Sequence, residues 1–270
     1  MRFDCMTLTT DYGYGAGFVG ALHAVAYRIA PSLTVIDVDH SVPPQDVRLG
    51  ALRLERFLRI APDAVHVGVV DPGVGGSRRP IAVECGSHSF VGPDNGLLVW
   101  AAEAAGPGMR AAVLDNEGFW LADRSRTFDG RDVFVPVAAR LAAGAGLTDA
   151  GTEVDPATLV RLERPVARVR ADGVAEVEVL QVDGFGNVQT SGDRGTVAEL
   201  GLRAGTRVVI GVEVAGGVSA TYGATFADVG LGQAVLLIDS DGCLALSVNG
   251  GRADRLLGDG PPAVLTVAPA

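Results

Sequence analysis

Lysine is absent from this 270-residue chain, so all 22 basic residues are arginine. Acidic residues number 32, and the net charge of −10 leaves no basic stripe of the kind that nucleic acid requires. Charged residues make up only 20% and apolar residues 48%. This composition excludes a disordered chain and predicts a packed core, with no nucleic-acid partner.

Cysteine is also scarce. Cys5, Cys85 and Cys243 are odd in number, far apart and without CxxC spacing, so neither a disulfide framework nor a zinc site is expected. No stretch approaches the roughly 18 uninterrupted apolar residues of a membrane span, and Met1–Thr10 lacks the apolar region of a signal peptide. We therefore expect a cytoplasmic protein that does not engage a membrane.

The first part of the chain alternates between strand and helix patterns. The predicted strands are Met6–Thr10, Leu33–Val38 and Val65–Val70, followed by a hairpin of Ile81–Glu84 and Ser89–Val91. The predicted helices are one from Ala21 to Ile29, then Val47–Ile60, Gly96–Ala105 and Val133–Ala143. This alternation is typical of an α/β domain with a mainly parallel sheet.

The second part shows short strands separated by Gly, Asp and Pro, with no strong helix. The predicted strands are Val174–Val182, Thr206–Val214, Ala234–Ile238, Cys243–Val248 and Ala263–Val267. This pattern predicts a smaller C-terminal domain, antiparallel and β-barrel-like. We place the boundary within Thr152–Asp172, which gives domains 1–165 and 166–270.

Three apolar strands lead into aspartate: Asp11, the pair Asp37 and Asp39, and Asp71. In open α/β sheets, ligands bind at the carboxyl ends of the strands. The alternative is that each aspartate simply caps the next turn or helix.

Gly15–Gly20 spells GxGxxG between a strand and a helix, with Asp37 at about the expected distance. This is the dinucleotide-binding fingerprint and suggests, as one alternative, a nicotinamide-dependent oxidoreductase. Against it, Asp11 lies between the strand and the glycines, where its charge opposes phosphate.

Asp71–Arg79 is a glycine-rich loop that starts with a carboxylate and ends with arginines. The carboxylate could hold or deprotonate a water that the arginine orients, or the two could form a plain salt bridge.

Thr127–Asp132 reads as an acidic helix start. Asp183–Asn187 reads either as a turn or as an aromatic and an amide that hold a purine.

Taken together, these segments resemble the S-adenosyl-L-methionine hydroxide adenosyltransferase family, the hydrolase branch of the superfamily that includes fluorinase and chlorinase. The likeness rests on many segments in order: Leu8–Gly13, Asp39–Val42, Val65–Gly75, Arg78-Arg79, Val91–Leu97, Thr127-Phe128, Gly130–Asp132 and Phe185–Asn187.

The resemblance implies an N-terminal α/β domain, a C-terminal β domain, and a homotrimer with sites between subunits. It also implies that water or hydroxide attacks the 5′ carbon of S-adenosyl-L-methionine and gives adenosine and L-methionine, with no metal and no cofactor. A non-catalytic binder of S-adenosyl-L-methionine or adenosine, and a halide-using adenosyltransferase, stay open as alternatives.

The resemblance also assigns site residues by motif. The water-activating set is Asp71, Arg78 and Asp129. Asp11 corresponds to the residue that binds the ribose hydroxyls. Around the adenine stand Phe185, Asn187, Phe226, Asn249 and Gly250, and the methionine end corresponds to Asp183 and Ser240.

Two positions depart from the family pattern. Asp129 stands where the hydrolases usually carry His, in Thr-Phe-His-Gly-Arg-Asp, and Ala16 stands where many members carry an acid near the methionine end. A third position separates this chain from the halogenases, which have Tyr in place of Asp71. Because a carboxylate beside the attacking atom repels halide, we expect no halide transfer.

Overall fold

The structure, a computed structural model, describes residues 2–211, 217–258 and 260–270. It consists of two compact units that divide between Leu162 and Glu163, inside the predicted boundary region. No helix among the described residues is long and apolar enough to cross a membrane.

The first unit contains a seven-stranded sheet in the order β2-β1-β3-β5-β4-β6-β7. The strands are β1 (Cys5–Thr10), β2 (Thr34–Asp39), β3 (Val65–Val69), β4 (Pro80–Cys85), β5 (His88–Pro93), β6 (Arg110–Val113) and β7 (Thr152–Val154). Strands β2, β1, β3 and β5 run parallel, whereas β4, β6 and β7 add antiparallel pairings. The predicted α/β fold with a parallel region is confirmed, and so is the predicted hairpin.

Five α-helices accompany this sheet in the described residues: α1 (Phe18–Ile29), α2 (Val47–Leu58), α3 (Val99–Ala104), α4 (Val135–Ala143) and α5 (Leu147–Ala150). The predicted helix at Gly96 begins three residues later, because Gly96 has a positive φ of 93° that helices do not use. A π-helical turn, Gly130–Phe134, precedes α4.

Apolar side chains cover both faces of the sheet. On one face, Leu22 of α1 and Leu141 of α4 pack over Leu8 and Val67. On the other, Leu54 of α2 joins a cluster with Trp100, Phe90 and Val70. A parallel strand covered on both faces is rich in Val, Ile and Leu, which is why the valine-rich strand β3 was predictable.

The second unit is a closed barrel. Its strands are β8 (Ala167–Val169), β9 (Ala175–Val182), β10 (Val188–Thr190), β11 (Arg207–Gly211), β12 (Val218–Tyr222), β13 (Ala234–Ile238), β14 (Leu244–Val248) and β15 (Val264–Pro269). Pairing of β9 with β10 closes the ring, and β8 extends it at β9. The predicted barrel-like domain is therefore confirmed. Residues 212–214 of one predicted strand lie outside the described residues.

Four elements of the second unit were not predicted, namely the short strands β8, β10 and β12 and one helix. Helix α6 (Arg194–Glu199) begins after Asp193, whose side chain accepts a hydrogen bond from the backbone N–H of Thr196 at 2.9 Å. The helix spans six residues, too few for an apolar period to be visible in the sequence.

His66 is a core residue of β3. It is 0% exposed, with Nδ1 at 2.8 Å from Thr7 Oγ1, Nε2 at 3.0 Å from His88 Nδ1, and its ring stacked on Phe90. Both ring nitrogens therefore have polar neighbours although the ring is buried. Burial first, and the neighbouring His88 second, lower the pKa of His66 from 6.5 to about 3.

This shift makes the free energy of unfolding depend on pH. Below pH 6.5 the imidazole of residue 66 binds a proton in the unfolded chain, whereas in the folded protein it binds one only near pH 3. The contribution of neutral His66 to the free energy of unfolding is therefore complete above pH 6.5 and is lost as the pH falls toward 3. Between these pH values the free energy of unfolding falls by up to about 1.4 kcal/mol for each pH unit.

We therefore predict that His66→Gln flattens the dependence of the unfolding free energy on pH between about pH 6.5 and 4, measured by urea denaturation. The control Thr7→Val removes the buried hydrogen bond but keeps the imidazole, so it lowers stability at every pH and retains the slope. Equal slopes in wild type and His66→Gln would contradict this account.

Candidate active site

Two aspartates follow neighbouring parallel strands. Asp11 comes after β1 and Asp71 comes after Val70 at the end of β3. The two strands run in register, with Thr10 opposite Val69, so their carboxyl ends meet at one edge of the sheet. This is the edge at which ligands of open α/β sheets bind.

Arg78 returns from the glycine-rich loop to the carboxylate of Asp71. Its Nη2 donates to Asp71 Oδ2 at 2.6 Å, and its Nε lies 2.9 Å from Oδ2 and 3.1 Å from Oδ1. The loop depends on Gly75, which has a φ of +75° and where a Cβ would lie 2.7 Å from the carbonyl oxygen of Arg126.

Asp129 completes the predicted set from a remote part of the chain. Its Oδ2 accepts a short hydrogen bond from Arg78 Nη2, and its Oδ1 accepts from Arg124 Nε and Nη2 at 3.1 and 2.9 Å. The structure thus brings Asp71, Arg78 and Asp129 together.

The three side chains are almost completely buried: the side chain of Asp71 is 5% exposed, that of Arg78 12% and that of Asp129 1%. Burial disfavours the charge on Arg78, but its hydrogen bonds to Asp71 and Asp129 outweigh that cost and raise the pKa of Arg78. The guanidinium is therefore a fixed cation between two carboxylates.

Tyr12 is a neighbour that sequence reasoning missed. Its ring packs at 5.6 Å against both Phe18 and Phe128. Burial first, then the charges of Asp11, Asp71 and Asp129, raise the pKa of Tyr12. The phenol therefore stays protonated. A tyrosine next to a strand-end aspartate was the only signal for it in the sequence.

Asp11 is anchored by the loop before α2. Its Oδ2 accepts the backbone N–H of Gln45 at 2.9 Å. Gln45 has a φ of +69°, a conformation that non-glycine residues adopt infrequently. The bond to Asp11 therefore secures an unfavourable turn. The carboxylate of Asp37, another of the predicted acids, lies 2.7 Å from His23 Nε2 and 3.0 Å from His40 Nε2.

These contacts weaken the nicotinamide interpretation. Residues 11–17 separate β1 from α1, whereas the dinucleotide fingerprint requires a tight turn directly after the strand. Asp37, its proposed ribose ligand, already has an imidazole nitrogen of His23 at 2.7 Å and one of His40 at 3.0 Å.

A cavity of about 300 Å³ adjoins Arg78 and Asp129. Trp120, Arg124 and Arg126 form part of its wall, together with Gly75 and Gly76. Its size is at the lower end of ligand pockets. Among the described residues, no group of three or more His, Cys, Asp or Glu is arranged to hold a metal ion.

In the second unit, three predicted residues share one turn between β9 and β10. Asp183 Oδ1 accepts the backbone N–H groups of Phe185 and Asn187 at 2.9 Å each, and Oδ2 accepts Asn187 Nδ2 at 2.7 Å. Phe185 is left 80% exposed. A large ring held outside the core suits a stacking contact.

Three other predicted residues of this unit divide between the two ends of β14, and a fourth precedes β13. Asn249 and Gly250 follow β14, and Asn249 Nδ2 donates to Val229 O at 2.8 Å. Ser240 precedes β14 and is therefore at the opposite end. Phe226, 45% exposed, opens a 3₁₀ turn between β12 and β13.

Arg124 was also missed, because nothing in the sequence links it to Asp129. The five-residue separation fits no helical or strand period across this irregular segment. Only the tertiary structure shows the contact.

With this geometry established, comparison with known proteins identifies the chain. Residues 6–151 match the SAM hydroxide adenosyltransferase N-terminal domain, and residues 177–265 match the SAM hydroxide adenosyltransferase C-terminal domain. The chain therefore belongs to the SAM hydroxide adenosyltransferase family, which confirms the resemblance found in its motifs.

Relatives of the chain include hydrolases and fluorinases. The chain is 50% identical over 259 residues to the (R)-S-adenosyl-L-methionine hydrolase of Salinispora tropica, covering 95% of this chain and 94% of the relative. The (R)-S-adenosyl-L-methionine hydrolase of Thermus thermophilus is 38% identical, with 92% and 93% covered. The fluorinase of Actinoplanes sp. is 27% identical, with 89% of each chain covered.

Solved structures agree on the fold. A conserved protein of Thermotoga maritima superimposes with a TM-score of 0.87 at 32% identity, covering 98% of this chain and 99% of that one. A conserved hypothetical protein of Thermus thermophilus gives a TM-score of 0.74 at 33% identity, covering 100% of both.

The site predicts a large stability effect at Arg78. Arg78→Met leaves two buried carboxylates without their shared cation, so the free energy of unfolding falls by about 3–5 kcal/mol. Urea denaturation measures this. The control Arg110→Met removes a 54% exposed partner of Glu153 and Glu84. Because Glu153 is 48% exposed and Glu84 keeps its ion pair with Arg2, the midpoint stays nearly unchanged. Equal midpoints for the two variants would show that Arg78 does not compensate the two carboxylates.

Proposed function

We propose that this protein hydrolyses S-adenosyl-L-methionine to adenosine and L-methionine. The observation that carries the proposal is the strand-end carboxylate of Asp71, held by Arg78 in a nearly dry setting. The family and the relatives named (R)-S-adenosyl-L-methionine hydrolase supply the substrate class. Their names support the R configuration at sulfur as the preferred epimer.

The chemistry is a displacement by water. The water oxygen forms a bond to C5′ while the C5′–S bond breaks, and its electron pair stays on sulfur. Methionine leaves as a neutral thioether. The attacking water gives a proton to Asp71, which passes it to solvent, as a general base does. Arg78 fixes the orientation of that carboxylate.

The remaining predicted contacts are part of the proposal. Asp11 binds the ribose hydroxyls. The adenine lies among Phe185, Asn187 and Phe226 and the backbone of Asn249 and Gly250, and Asp183 and Ser240 bind the methionine end. No metal and no cofactor take part.

Halide transfer is the second candidate, because fluorinases are among the relatives. The carboxylate of Asp71, 5% exposed, argues against it. Coulomb repulsion, on the order of several kcal/mol, opposes a halide a few ångströms from a carboxylate in a dry pocket. Water carries no such charge, so the site favours hydrolysis.

The decisive experiment follows products by chromatography. Purified protein with (R)-S-adenosyl-L-methionine gives equal amounts of adenosine and methionine, more slowly with the S epimer. With chloride or fluoride present, no 5′-halo-5′-deoxyadenosine forms. Tight binding without product would make the protein a binder instead, and a halogenated product would make it a halogenase.

The site is tested by Asp71→Asn, which keeps the shape of the side chain but removes the basic carboxylate. We expect kcat to fall by roughly 10²- to 10⁴-fold, measured by the same product assay. The control Asp155→Asn changes an exposed aspartate that caps the Pro156–Thr158 turn and retains wild-type turnover. Near-wild-type activity of Asp71→Asn would remove Asp71 from the water-handling set.

We further propose a homotrimer with sites between subunits. Sedimentation velocity at micromolar concentration then gives a species of three times the chain mass of 27.7 kDa. A monomer that retains full turnover would refute the proposed assembly and leave the proposed reaction standing.

A further inference from the structure

We propose that Arg124 is a positioning residue: it holds Asp129 against Arg78 and thereby fixes the guanidinium that orients Asp71. The inference rests on the proposed hydrolysis for its catalytic meaning. It concerns a residue that no motif of the sequence brought forward.

The contacts form one continuous chain. Arg124 occupies Oδ1 of Asp129 through two N–H groups at 2.9 and 3.1 Å, and Arg78 Nη2 occupies Oδ2. The same Nη2 donates to Asp71 Oδ2 at 2.6 Å. Both oxygens of Asp129 are therefore taken, one by each of two guanidinium groups, which suits a role in holding Arg78.

Charge makes Arg124 necessary to this arrangement. Two carboxylates that are 5% and 1% exposed share Arg78, which leaves one negative charge uncompensated. Arg124 supplies the missing positive charge, so the four groups together are neutral. A buried carboxylate without a matched cation is strongly disfavoured.

Arg124 is itself held on two sides. Its guanidinium lies 4.5 Å from the ring centroid of Trp120, within cation–π range. The next residue, Ser125, donates its backbone N–H to Asp132 Oδ2 at 2.7 Å. Asp132 belongs to the π-helical turn that begins directly after Asp129, so the segment carrying Arg124 is fastened to the one carrying its partner.

The alternative is an ordinary surface ion pair, because Arg124 is 31% exposed. Exposed pairs contribute little. Here, however, the partner carboxylate is 1% exposed and bonded to Arg78, so a change at residue 124 reaches the reaction site through Asp129.

The test is a double-mutant cycle on turnover. Arg124→Gln lowers kcat by roughly 10-fold or more without raising KM, since the groups proposed to bind the substrate are unchanged. Arg124→Lys restores part of the loss. In the Asp129→His background, where no carboxylate needs neutralising, Arg124→Gln changes kcat less than about 2-fold.

The matched control is Arg110→Gln, which also removes an arginine from an ion pair with a carboxylate. Its partner Glu153 is 48% exposed, and its other partner, Glu84, keeps a second ion pair with Arg2, whereas the partner of Arg124 is buried. Arg110→Gln therefore retains wild-type kcat.

A second readout needs no turnover. The Arg78 Nε–H signal in ¹⁵N NMR, assigned through Arg78→Lys, exchanges slowly with solvent in wild type and in Arg110→Gln. It exchanges faster in Arg124→Gln. In the Asp129→His background, Arg124→Gln no longer changes the rate at which the Arg78 Nε–H exchanges with solvent.

The two proposals fail separately. Wild-type protein that yields no adenosine refutes the proposed hydrolysis, and the exchange of Arg78 Nε–H still tests the positioning role. Unchanged kcat and unchanged Arg78 exchange in Arg124→Gln overturn the positioning role. So does an equal loss of kcat in the wild-type and Asp129→His backgrounds, even if hydrolysis is observed.

Discussion

The site depends on one buried guanidinium shared by two carboxylates. Asp71 follows β3, Asp129 precedes the π-helical turn before α4, and neither would be stable in this dry setting without Arg78. The sheet fixes one carboxylate, the turn fixes the other, and the glycine-rich loop must close for Arg78 to reach both. Loop geometry, local burial and the ionisation of the site are therefore one constraint.

Strand-end aspartates were predictable because the carboxyl ends of parallel strands share an edge. Asp11 and Asp71 need only the apolar runs before them and that rule. No such rule applies to Asp129. Its membership of the set with Arg78 was predicted from likeness to a family motif. Tyr12 and Arg124 were missed since their roles depend on contacts between segments distant from any periodic pattern, which propensity and spacing do not encode.

The same distinction holds for the fold. Buried strands such as β3 can be recognised in the sequence by their Val-rich runs. In contrast, β6 (Arg110–Val113) and β7 (Thr152–Val154) are short, and they form strands because neighbouring strands pair with them. Helix α4 was predicted, but the π-helical turn before it was not. A π-helical turn differs from an α-helix only in which carbonyl each N–H reaches, and hydrophobic spacing does not report that difference.

The neutrality of the four-group chain from Arg124 to Asp71 bears on how the proposed reaction proceeds. The sulfonium of S-adenosyl-L-methionine is positive in the ground state and loses that charge as the C–S bond breaks. A site with surplus negative charge would bind the substrate more strongly than the transition state and so raise the barrier. With Arg124 neutralising Asp129, Asp71 keeps its carboxylate for water while these four groups together add no net negative charge that would hold the sulfonium in the ground state.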